Sequence, residues 1–189
     1  MNRPNLFQCC VLLLACFAAL PVAAQTSSAR AQPQAAVEFV RGFYDWYVPL
    51  ALKSDATELT LKNKRDVLSA ELYGALKGYY ETEAKSKGET VGLDFDPFLN
   101  SQDPCSKFET GKSVAAGDRY QVEIFGVCSG RKRQKPDLLA EVVKDHAGWR
   151  FTNFLYPTEA KQDPRNGDLL SILKQIAADW KREGVTPQK

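Results

Sequence analysis

Histidine and methionine are almost missing from this sequence, with one of each among 189 residues. A single imidazole cannot furnish the paired-histidine motifs that hold zinc, and no Cys-x-x-Cys is present to make a thioredoxin-type redox centre. Net charge is equally scarce. The formal balance is +2, too little to create the field by which nucleic-acid binders capture phosphate backbones. Gly-x-Ser-x-Gly, phosphate-loop and dinucleotide-loop motifs are all lacking. No cofactor, no metal and no nucleic-acid partner is therefore expected. The composition is that of a folded domain, not of a disordered, collagenous or multi-span membrane chain.

What is present begins with an N-terminal leader. Met1 to Asn5 carries one charge, Arg3, and Leu6 to Leu20 is almost wholly apolar. Pro21-Val22-Ala23-Ala24-Gln25 then places small side chains where a signal peptidase cleaves. Residues 1–24 read as a signal peptide. The apolar run is too short for a membrane span, so no stable span is expected after cleavage. A periplasmic or secreted location follows. Leu13-Leu14-Ala15-Cys16 loosely matches a lipobox, which makes a lipoprotein anchored through Cys16 the alternative. Residues 25–35 have the small, polar composition of a flexible linker. Residues 36–184 have the length of a single domain that buries its own core, and 185–189 read as a disordered tail.

Three of the five cysteines, Cys9, Cys10 and Cys16, fall in the leader. Cys105 and Cys128 remain, and an even pair in an exported chain predicts a structural disulfide. The one dense basic run, Arg131, Lys132, Arg133 and Lys135, sits between strand-like segments and ends at Pro136. It reads as a solvated hairpin loop, with a phosphate or lipid-headgroup patch as the other reading. No aromatic interleaves it for base stacking.

From Ala35, apolar residues recur at helical spacing: Val37, Phe39, Val40, Phe43, Tyr44, Trp46, Tyr47, Leu50. Pro49 is expected to end or kink this helix. A second helix is predicted from about Asp66, with Leu68, Leu72, Leu76, Tyr79 and Tyr80 on one side and Gly88 as its stop. The period then becomes two. Strands are predicted at 108–114 (weakened by Gly111), 120–128, 138–144 and 149–156, with Asp145-His146-Ala147-Gly148 as a tight hairpin turn. Leu169, Ile172, Leu173, Ile176 and Trp180 form a last helix, capped by Asp168 or Asn166 and stopped by Gly184. The fold class is α+β: two N-terminal helices and a C-terminal helix packed on a curved antiparallel sheet of about four strands.

VEFVRGFYDWYVP (37–49), DFDPFLNSQD (94–103), GWRFTNFLYP (148–157) and DLLSILKQIAADWKR (168–182) carry a resemblance. Together they resemble an uncharacterised family of bacterial exported proteins with the cone-shaped nuclear-transport-factor-two-like (cystatin-like) fold. The resemblance implies fold and compartment and transfers no catalytic residue.

In such a cone, inward polar residues mark a ligand cavity. Asp94, Asp96 and Asp103 share one loop and suit a base, although Asp before Pro is also an ordinary turn former. Asn153 either presents its amide inward in phase with Trp149, Phe151 and Leu155, or a bulge rotates the strand and turns Phe154 inward instead. Tyr44 borders the same expected cavity. His146, at a hairpin tip, is remote from it. The expected function is a non-enzymatic binding or interaction domain for a small molecule or an envelope protein. The alternatives are a small isomerase or dehydratase with a loop Asp as base, and an immunity or assembly factor.

Overall fold

The computed structural model describes residues 23–53, 55–85 and 92–184. Residues 1–22 of the expected signal peptide (1–24), Cys16 among them, Gly88 and residues 185–189 lie outside the described residues.

Helix α1 (Ala23–Ala51) has 29 residues, about 44 Å at 1.5 Å per residue. It starts well before Ala35, so residues 25–35, read as a linker, lie inside the helix. Alanine and glutamine dominate that stretch and are good helix formers, and Pro33 does not break it. Pro49 lies in the last turn, and the helix ends two residues beyond it at Ala51. Ala36, Val37, Val40, Phe43, Tyr44, Tyr47 and Val48 are its buried face.

Two further helices follow where one was predicted. Helix α2 (Ala56–Asn63) is capped by Asp55, whose carboxylate accepts from the Thr57 and Glu58 amides. A 3-10 turn at Arg65–Val67 leads to α3 (Ala70–Glu83), capped by Ser69. Leu68 is extended and bridges to Phe151, which is why α3 starts later than its apolar period suggests.

The sheet is antiparallel in the order β1-β2-β4-β5: β1 (Lys107–Ala116), β2 (Arg119–Cys128), β4 (Leu138–Asp145) and β5 (Gly148–Leu155). A two-residue β3 (Arg131–Lys132) also pairs with β2 through a turn at Ser129 and Gly130, both at positive φ. Part of the basic run is thus a strand. Lys132 lies over the Phe125 ring, and Arg133 pairs with Asp137. Two bulges bend the sheet. One places Gly111 and Lys112 opposite Glu123, with Gly111 packed so closely that a Cβ there would meet the Phe125 ring at 2.6 Å. The other falls at Thr152, between the Glu141–Asn153 and Val142–Phe151 pairs. It lets both Phe151 and Phe154 face the core.

The core lies between α1 and the face bearing Val122, Ile124, Ala140, Val142, Phe151 and Phe154. Phe43 sits 4.8 Å from Phe151, and Phe98 sits 4.7 Å from Phe154, by ring centres. After a short helix α4 (Glu159–Gln162), α5 (Leu169–Arg182) packs against α3, where Trp180 stacks on Tyr79 at 5.3 Å. Cys105 and Cys128 form a disulfide, Cα–Cα 4.7 Å, spanning 23 residues. No helix among the described residues is long and apolar enough to cross a membrane.

Candidate functional site

The segment 94–101 has no regular structure, yet Pro97, Phe98 and Leu99 are buried. A buried loop must place its backbone polar groups on partners, and three tyrosines supply them. The Tyr44 hydroxyl donates to the Phe98 carbonyl (2.6 Å) and the Tyr156 hydroxyl to the Pro97 carbonyl (2.7 Å). The Tyr47 hydroxyl donates to Asp96 Oδ2 (2.8 Å). Asp96 Oδ1 accepts from the amides of Phe98 (2.9 Å) and Leu99 (3.1 Å), the turn-forming role open to an Asp before proline. The Asp96 amide closes the loop on the Ser101 carbonyl at 2.9 Å.

Because an ionised carboxylate only accepts, the donor order behind Asp96 is determined. Tyr47 donates to Asp96, so Thr57 Oγ1, at 2.9 Å, donates to Tyr47. Tyr80, on α3, lines the same cleft as Thr57. Burial raises the Asp96 carboxyl from 3.8 to about 6, opposed by its hydrogen bonds to Tyr47, Phe98 and Leu99 and reinforced by the charge of Asp55. No cation compensates it through an ion pair among the described residues. Glu141, another deeply placed carboxylate at 9% exposure, is different: Arg119 and Thr152 both donate to it.

Asp96 borders an open cleft of about 610 Å³ between the end of α1, the start of α2, α3 and the loop. Its polar wall is acidic: Asp55, Glu83, Asp94 and Asp96. Tyr79, Tyr80 and Phe95 supply aromatic surface, and no lysine or arginine among the described residues lines it. Tyr79 donates to Glu83 at 2.7 Å and accepts from the Leu93 amide at 2.8 Å, tying α3 to the loop.

Of the residues singled out from sequence, the cleft unites Asp94 and Asp96. Asp94 is exposed and accepts from Gln102 at 3.0 Å. Asp103 is exposed and lies off the cleft wall. Tyr44 is buried in the core with its hydroxyl committed to Phe98. Asn153 is also elsewhere, because the bulge turns it toward α5: it donates to Asp168 at 2.8 Å and accepts from the Leu170 amide at 3.2 Å. His146 is exposed at the hairpin tip. Asp55, Thr57 and Tyr80 were missed. Asp55-x-x-Glu58 has the pattern of a helix start, a local signal for α2 that says nothing of its packing beside the loop.

The geometry defines a class, a disulfide-linked α+β domain with an acidic, aromatic-walled cleft beside a buried aspartate. No protein-family model, curated protein or solved structure matches the chain.

Proposed function

We propose that this is an exported, non-enzymatic binding domain whose cleft takes a small organic cation, such as an amine or the basic side chain of a peptide. The observation that carries the reading is the lining itself, Asp55, Asp94 and Asp96 beside aromatic rings, with no lysine or arginine among the described residues that line the cleft. Such a wall attracts positive charge, and ring faces favour it further. Export is supported by the leader's pattern and by the disulfide, a bond of oxidising compartments. The resemblance to an exported cone family agrees with both. A thermal-shift titration of the oxidised protein with diamines and Lys- or Arg-containing dipeptides tests it. Stabilisation by these, weakened in Asp94→Asn and Asp55→Asn and absent with acidic dipeptides, is the expected result.

One observation favours a second reading. A carboxyl raised to about 6 beside a cleft has the property of a general base in an isomerase or dehydratase. Its contacts support binding better: both oxygens are already engaged by the loop and Tyr47, and the cleft is open to solvent. Turnover of a bound compound that Asp96→Asn abolishes without weakening binding decides for the enzyme. For the envelope-partner reading, the exposed large hydrophobics among the described residues are Leu52 and Val114, on separate elements.

A further inference from the structure

At the other end of α2 lies a second cleft, of about 500 Å³, with the opposite charge. Lys62 near the C-terminus of α2, Arg65 in the 3-10 turn and Arg150 in β5 line it, together with Tyr73, Ala70 and one carboxylate residue, Asp66. Two guanidiniums are held in place with N–H groups to spare. Arg65 lies on the Tyr73 ring, 4.9 Å from its centre. Arg150 donates through Nε to Asp145 (2.8 Å) and through Nη1 to the Asp66 carbonyl (3.0 Å). That leaves its remaining N–H groups for a further acceptor. Asp145 offsets part of the Arg150 charge. Lys62 and Arg65 have no ion-pair partner among the described residues.

We propose that this cleft is an oxyanion site for a phosphate-bearing molecule, held by Arg65, Arg150 and Lys62. Guanidinium forks fixed by stacking and hydrogen bonding lose little freedom on gripping phosphate, and an ammonium adds a mobile point charge. The site is separate from the acidic cleft, so it stands or falls by itself.

The test uses the oxidised protein with two probes, inorganic phosphate and vesicles of phosphatidylglycerol in phosphatidylcholine. Phosphate is expected to shift the amide resonances of Ala70 and Tyr73 in a two-dimensional NMR titration at about millimolar concentration. Lys62→Gln with Arg65→Gln should weaken the effect roughly fivefold or more, since each removes a charge-assisted hydrogen bond. Both residues are exposed, so an unchanged thermal midpoint confirms that the variant is folded. Asp66→Asn should tighten binding. Vesicle retention that depends on the same residues assigns the phosphate to a lipid headgroup; a response to free phosphate alone assigns it to a soluble ester. Absence of both responses, or responses unchanged in the double variant, overturns the site.

Discussion

The Tyr47 hydroxyl donates to Asp96 Oδ2 at 2.8 Å, joining the longest helix to the loop that forms one wall of the acidic cleft. Tyr47→Phe removes this bond, and hydrogen bonds to charged groups contribute about 1.5–3 kcal/mol. The variant should lose stability of that order at pH 8 and less below pH 5, where Asp96 is neutral. Because the Tyr47 bond opposes the upward shift of Asp96, the Asp96 titration should also move above about 6. Denaturant unfolding at both pH values, with NMR titration of the carboxyl, reads the two effects.

Asp96 itself should make the protein more stable in mild acid. Its folded-state value lies above the unfolded one, so its contribution is full below 3.8 and is lost as pH rises through about 6. The size of the shift corresponds to about 3 kcal/mol. Asp96→Asn keeps an acceptor for the Phe98 and Leu99 amides and carries no charge. Its stability relative to the wild type should therefore rise between pH 4 and pH 7 and level off above. A difference independent of pH would sink the buried-charge account.

Asp145 and Asp163 act in the opposite sense. Hydrogen bonds, led by the Ala147 amide for Asp145 and by Arg165 for Asp163, hold both carboxyls below their ordinary value. Their contribution is present above 3.8 and is lost as pH falls through the lowered values. Both groups are present in the wild type and in Asp96→Asn alike, so their contribution cancels in that comparison.

Reduction of the Cys105–Cys128 bond, or the paired Cys→Ser change, should cost about 3 kcal/mol, the chain-entropy value for a loop of this length. The expected readouts are a lower denaturant midpoint and, in unreduced protein prepared without residues 1–24, no thiol that reacts with an alkylating reagent after unfolding.

Asn153→Ala should destabilise by about 1–3 kcal/mol, because the Leu170 amide and Asp168 lose a partner where β5 meets α5. Affinity for any amine that binds the acidic cleft should be unchanged. A loss of affinity at full stability would return Asn153 to the ligand site.

Much of this molecule is legible in the residues alone. The alternation around Tyr120, Val122 and Ile124 specifies β2, and the repeat from Leu169 to Trp180 with Asp168 ahead of it specifies α5. Both signals are local, since a side chain's face follows from chain period and a cap from its own next turn. The pairing of Cys105 with Cys128 is legible as the even pair left when Cys9, Cys10 and Cys16 are assigned to an expected signal peptide. Other features needed the folded chain. Whether Asn153 or Phe154 faces the core depends on one extra residue at Thr152, and a bulge changes the face without changing the pattern before it. That Asp96, and not Asp94 or Asp103, is the buried carboxylate depends on Tyr47, 49 residues away in sequence. Three similar aspartates on one loop carry no local mark of which will lose its water. Only the packing of α1, α2 and α3 around the loop decides it, because desolvation is a property of the surroundings and not of the residue.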